Sequence, residues 1–245
     1  MIEIKGIHKW FGSQHVLRGV DLTIERGETI VILGRSGCGK SVLLKIMMGL
    51  LDADEGTILI DGVEMSRLER RELAQFRLGL GMLFQGSALF DSLNVYGNVG
   101  FSLIEHTQMK EAEIHAKVRE KLSLVGLAGV EDKMPAALSG GMRKRVGLAR
   151  AICNDPKVIL YDEPTTGLDP VNSDVINKLI LRMQSKLKVT SVVVTHDLTS
   201  AYKVANRLAM LHDGKIIGIG TPEEIRNSAD PIIRQFVTGT ADPDV

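Results

Sequence analysis

One stretch constrains this chain more than any other: Gly34-Arg35-Ser36-Gly37-Cys38-Gly39-Lys40-Ser41, a glycine, four residues and then Gly-Lys-Ser. Upstream, Thr29-Ile30-Val31-Ile32-Leu33 is a near-continuous apolar run, as a strand buried on both faces requires. Downstream, Val42 to Met48 reads as a buried helix that stops at Gly49. In that setting glycines let successive backbone N–H groups converge on a phosphate at a helix N-terminus. Lys40 would reach the β- and γ-phosphates, and the Ser41 hydroxyl would ligate Mg²⁺. An ordinary glycine-rich turn is the bland alternative. The flanking strand and helix decide for a nucleoside triphosphate site.

The remaining bounds are soon set. The 245 residues suffice for one large domain, or for a core with an inserted subdomain. Thirty basic and thirty acidic residues cancel, so no global field draws the chain to nucleic acid or anionic membrane. An aromatic content of 4% argues against a base-stacking surface. No apolar run approaches a membrane span and the N-terminus lacks a signal-peptide pattern, so a soluble, cytosolic protein is expected. Cys38 and Cys153 lack metal-ligand spacing and read as free thiols.

Residues 2–7 alternate as a half-exposed strand, and 16–24 form a second β-like run. Between them stand Trp10 and Phe11, next to Gly12. They read either as packing under a turn or as an aromatic face for an adenine ring. Residues 56–62 form a short strand into a turn. Residues 66–77 look helical, with Ser66 as N-cap and Glu69 completing a capping box. Leu80 to Phe84 is a further buried-strand candidate ending at Gln85, either a Mg²⁺ or water ligand or a plain strand-end hydrogen bonder.

From Gly86 to about Pro156 the strand pattern lapses. Residues 87–101 mix apolar and small residues, and Met109 to Leu124 is a charged amphipathic helix. Ser139-Gly140-Gly141 then opens a helix to about Ile152, a second anion-binding N-terminus. Arg143, Lys144 and Arg145 oppose its macrodipole, which leaves two accounts. They pair with surface carboxylates, or they await a phosphate carried by another chain.

Val158 to Tyr161 leads into Asp162 and Glu163, a strand whose C-terminal end carries two acids. Asp162 suits the Mg²⁺-side acid of a phosphate-loop enzyme, and Glu163 a base for an attacking water. Val192 to Thr195 repeats the arrangement and ends at His196, the one histidine of six at such a strand end. Residues 207–211 and 215–219 read as a hairpin, 222–227 and 231–237 as short helices, and 240–245 as a loose tail.

In this order the elements resemble the ATPase subunit of ABC transporters over nearly the whole chain. Phe11 matches the adenine-stacking aromatic, 34–41 the Walker A loop, with Val42 beside it, and Gln85 the Q-loop glutamine. Leu138-Ser139-Gly140-Gly141 matches the ABC signature, Val158 to Asp162 Walker B, Glu163 the catalytic base, 167–169 the D-loop and His196 the switch histidine. Two positions depart. Val42 replaces a common Thr, while Ser41 keeps the Mg²⁺ hydroxyl. Met142 replaces the usual Gln, removing that side chain's contacts. Within the superfamily, 82–95, the signature with Met142 and 230–239 resemble the Mla-type, MCE-associated phospholipid transport ATPases.

The resemblance implies an α/β fold, a RecA-like phosphate-loop core with an antiparallel β subdomain and an inserted helical subdomain over 87–156. Residues 1–245 would form a single cassette with a C-terminal extension from 230. It implies ATP and Mg²⁺, the metal held by Ser41, Gln85 and Asp162. It implies a head-to-tail homodimer in which each ATP contacts one chain's Walker A and the other's Ser139, Gly140 and Gly141. The expected partners are a membrane permease and, in some systems, an MCE-domain lipid binder and a STAS-domain regulator, on the cytosolic face of the inner membrane. A small-solute importer ATPase and a soluble assembly factor stand as alternatives. The apolar loop 87–90 discriminates, because a transport ATPase docks a permease helix near it.

Overall fold

The computed structural model describes residues 1–240, and they form two compact units. The expected tail over 240–245 lies, from residue 241, outside the described residues.

The first unit comprises Met1–Glu69 and the chain from Val192 onward. Its N-terminal sheet is antiparallel. Strand β1 (Ile2–Phe11) pairs β2 (Gln14–Ile24) from Ile2 opposite Ile24 to Phe11 opposite Gln14, and on its other edge pairs β4 (Glu55–Ile60). A two-residue strand, β5 (Val63–Glu64), completes it. Ile2 and Ile4 are buried by the alternation, and an irregularity between Ile4 and Ile7, with Gly6 at a φ of 56, resets it so that Ile7 is buried as well. Strand β3 (Thr29–Leu33), buried at every position, runs parallel to β9 (Arg207–His212), and β9 turns through Asp213 and Gly214 into antiparallel β10 (Lys215–Gly220). Strand β8 (Thr190–Thr195) is also wholly buried.

Helices α1 (Lys40–Met47), α7 (Leu198–Val204), α8 (Pro222–Arg226) and α9 (Pro231–Thr238) finish this unit. Asp230 caps α9, and Ile233 is buried with its Cδ1 against the backbone at Gly218. Ile232 remains exposed. A helix this short is unstable alone, and the buried isoleucine supplies what propensity does not.

The second unit, Arg70–Ser191, is mainly helical. It contains α2 (Arg70–Leu78), α3 (Val95–His106), α4 (Glu111–Leu124), α5 (Gly140–Ala151) and α6 (Pro170–Leu187). Its strands β6 (Leu80–Leu83) and β7 (Val158–Asp162) are parallel, Leu83 opposite Tyr161. No strand lies between β6 and β7 in the sequence. Val95, Val99, Leu103, Ile114, Val118, Leu122 and Val146 build the buried seam of α3, α4 and α5.

Several elements differ from the sequence expectation. Ser66 does not cap a helix: Met65–Arg67 is a single 3₁₀ turn, Leu68 is extended (φ −74, ψ 135) and α2 starts at Arg70. Burial of Met65 sets that geometry, and the Ser66 hydroxyl donates to the Glu64 carboxylate. Helix α6 carries a helical period that the sequence expectation passes over, with Ile176, Leu179, Ile180 and Met183 buried at i, i+3, i+4 and i+7. Asn94, Asp169 and Asp197 cap α3, α6 and α7, each accepting backbone N–H from the first turn. Pro170 at the start of α6 was a further signal.

Close approach between α5 and β6 needs a missing side chain. A Cβ on Gly81 would stand 2.4 Å from the Ala151 carbonyl oxygen, whereas one on Gly86 would meet nothing within 4 Å. Gly81→Ala is therefore expected to cost ~1–3 kcal/mol of stability as overpacking. Gly86→Ala stays within ~0.5 kcal/mol, like an ordinary surface change. Urea unfolding followed by circular dichroism reads both; equal midpoints would contradict the close approach.

Candidate functional site

The phosphate loop leaves β3 at Gly34, where a Cβ would lie 2.4 Å from the Leu211 carbonyl oxygen, so the backbone passes at a distance that only glycine allows. Gly37 and Gly39 take φ of 82 and 106, the left-handed region. Gly39 is the N-cap of α1 and offers no side-chain acceptor, and the first turn carries no acid. The helix N-terminus thus meets the chemistry of an anion. Lys40 is buried and its ammonium donates to the carbonyls of Gly34 (2.7 Å) and Arg35 (3.1 Å). The Arg35 guanidinium is exposed and donates to Gln235 Oε1 of α9 at 2.9 Å.

Trp10 and Phe11 behave differently. Trp10 stacks on His15 at 4.1 Å and on His8 at 5.4 Å, and the two imidazoles share a 3.0 Å hydrogen bond. Lost hydration, then the neighbouring His8, holds His15 below the ordinary histidine pKa. Phe11 is 48% exposed, with the Lys9 ammonium 5.7 Å from its ring centroid. Of the two aromatics, Phe11 offers the open face. Packing under a turn does not describe it.

In the second unit the segments after β6 and β7 are fastened by α5 and α3. Asp162 and Glu163 are buried, and Glu163 takes a left-handed φ of 46. Its carboxylate accepts from the Thr166 hydroxyl at 3.1 Å. The buried Lys144 ammonium donates to the backbone carbonyls of Gln85 and Glu163. Desolvation lowers its pKa, opposed by the charges of Asp162 and Glu163. Arg150 donates to the carbonyls of Ser87 and Ala88, both 2.7 Å, and these residues also have positive φ. The buried Asn98 amide accepts from the Phe90 N–H and donates to the Phe90, Leu93 and Asn94 carbonyls. Loop 87–90 is therefore a held structure, with Ser87 inside and Phe90 exposed at 43%.

These bonds correct one expectation. Among the described residues, Arg143, Lys144 and Arg145 donate to backbone carbonyls of Leu138, Gln85, Glu163 and Gly126 rather than to surface carboxylates. The Ser139 side chain caps α5 by accepting from Met142 N–H at 3.3 Å, and Ser139 and Gly140 are exposed. Gly141 leaves room for Asn172, whose Oδ1 would stand 2.6 Å from a Cβ there. Asp169 is occupied in capping α6, and its bonds with Asn172 hold its carboxyl below the usual range. His196 is exposed immediately after β8.

Residues 17–166 match the sequence profile of the ABC transporter family. The chain belongs to that family. Over 238 residues it is 46% identical to the probable ribonucleotide transport ATP-binding protein mkl of Mycobacterium tuberculosis, covering 97% of this chain. It spans only 66% of that relative's length. It is 41% identical to the intermembrane phospholipid transport system ATP-binding protein MlaF of Haemophilus influenzae, covering 99% of this chain and 92% of the relative. Among solved structures, the dimeric ATP-binding cassette MJ0796 bound to ADP and Pi superposes with a TM-score of 0.84 at 33% identity, covering 91% of this chain and 99% of that one. In this ABC protein the sequence carries no sign of the supporting roles of Asn98, Arg150 and Thr166, and of Lys144 it shows the cation but not its partners. They bond mostly to backbone, and backbone contacts leave no pattern in a single sequence.

Both thiols are held protonated by burial, Cys38 raised and Cys153 pushed up to about 11. An unfolded thiol ionises near pH ~8.5. Its contribution to stability is therefore complete below that pH and is lost as pH rises toward the folded value. Iodoacetamide at pH 8 is expected to modify the half-buried Cys38 slowly and Cys153 only after denaturation. Peptide mass spectrometry checks it; rapid native labelling of Cys153 would refute the burial argument.

Proposed function

We propose that this chain is the ATP-hydrolysing subunit of a transporter that moves phospholipid through a membrane permease. The carrying observation is the phosphate loop, with its left-handed glycines, the uncapped N-terminus of α1 and the inward-folded Lys40. Residues 34–42 bind the triphosphate, and Phe11 stacks on the adenine. Ser41, Gln85 and Asp162 supply hard oxygen donors of the type Mg²⁺ takes. When bound there, Mg²⁺ would offset negative charge on the phosphates. Glu163 accepts the proton of the attacking water, and His196 stands by the terminal phosphate. Exposed Ser139 and Gly140, with Gly141 behind them, contact the nucleotide of a second copy in a head-to-tail homodimer, in keeping with the dimeric MJ0796 cassette.

The domain reading accompanies this: one cassette, with 87–156 as the inserted helical subdomain and 230–245 as a C-terminal extension. Exposed Phe90 on the held loop is the permease contact. Peripheral attachment to the cytosolic face of the inner membrane follows from that partner, and no helix among the described residues is long and apolar enough to cross a membrane. An MCE-domain lipid binder and a STAS-domain regulator complete the proposed assembly. Lipid is favoured as cargo by the 41% identity to a phospholipid transport protein across nearly the full length of both chains. The name of the mycobacterial relative supports a second reading, ribonucleotide cargo. Lipid analysis of the complex purified from membranes separates the two.

Glu163→Gln is expected to bind ATP and to lose ~10²–10⁴ in turnover, the scale of a missing general base. Lys40→Ala should lose binding itself. Near-normal hydrolysis by Glu163→Gln in the assembled transporter would rule that residue out as the base.

Phe11→Ala should weaken ATP binding by ~1–2 kcal/mol, a stacking-scale loss. Trp10→Ala should weaken it less, because that ring is already stacked on imidazoles. Titration with a fluorescent ATP analogue ranks the two, and the reverse order would show that the wrong aromatic has been named.

A further inference from the structure

Lys144 is only 5% exposed, and its ammonium bonds to backbone rather than to a carboxylate. A buried charge is costly unless hydrogen-bonded, so its donors hold those carbonyls firmly. One carbonyl belongs to Gln85, just beyond β6, and the other, at 3.1 Å, to Glu163, just beyond β7. Glu163 keeps a φ of 46, which a non-glycine residue retains only where its surroundings over-determine it. The Glu163 carbonyl also accepts from Thr166 N–H at 3.3 Å, while the Thr166 hydroxyl holds the carboxylate. Lys144 lies on α5, whose first turn is opened by Ser139.

From this geometry we infer that Lys144 is a positioning residue for hydrolysis. By gripping the Glu163 carbonyl it fixes the left-handed backbone and so the place of the carboxylate. By gripping the Gln85 carbonyl with the same nitrogen it makes both strand-end segments follow α5. A displacement of the Ser139 end of that helix is thereby delivered to Glu163. The inference rests on the reading of Glu163 as the base.

The test is a double-mutant cycle in the assembled transporter. Lys144→Met should lower kcat by about 10- to 100-fold, the cost of a misplaced catalytic group, with KM for ATP within about twofold. In the Glu163→Gln background the same substitution should cost nothing further, because the group it positions is already gone. A purely structural lysine would give losses that multiply, and that result overturns the inference, as does a raised KM with unchanged kcat. Should Lys144→Met fail to fold, Lys144→Arg keeps the buried charge but relocates its donors. A kcat loss that disappears with Glu163→Gln supports positioning, and one that persists overturns it. Full turnover by Glu163→Gln alone would remove the base assignment and the inference with it.

Discussion

Buried ammonium groups donating to backbone carbonyls are what the strand-end segments depend on. Lys40 closes the phosphate loop on Gly34 and Arg35, and Lys144 closes the segments after β6 and β7 on Gln85 and Glu163. A carbonyl at the end of a buried strand has lost its ladder partner and is expensive to leave unpaired. A lysine at each place bonds two at once and brings a positive charge beside them. The residues that hold the backbone are therefore also part of the local electrostatics, as the influence of Asp162 and Glu163 on Lys144 shows.

Helix α5 concentrates these duties. Its N-terminus is opened by Ser139, its second turn carries Lys144, and its last turn carries Arg150, which holds Ser87 and Ala88. Small residues let it lie close to its neighbours: a Cβ on Gly147 would stand 3.0 Å from Leu83 Cδ1, and Gly81 admits the Ala151 carbonyl. With volume so tightly specified, the helix has little freedom to shift without carrying its hydrogen-bonded segments along.

The end of the described chain is tied in as well. Ile233 is buried beside Gly218, and Gln235 accepts from Arg35 of the phosphate loop. Ile232 on the same helix stays exposed, and residues 241–245 lie outside the described part.

Once the phosphate-loop spacing was in view, the sequence by itself determined the family and where the candidate residues fall along the chain. The runs before Gly34, Asp162 and His196 are short and mostly apolar, and the structure makes each a buried strand, the first leading into the glycine loop and the other two ending at polar residues. Such signals are local, because phosphate recognition needs glycines and a lysine at fixed spacing. The anchoring was decided only by the tertiary structure. Nothing at Lys144, Asn98 or Gln235 marks a partner 59, 8 or 200 positions away, because those partners are brought within reach by folding. Ser66 went wrong for the same reason: a sound local capping pattern was overruled by burial of Met65, a non-local energy that no window of sequence contains.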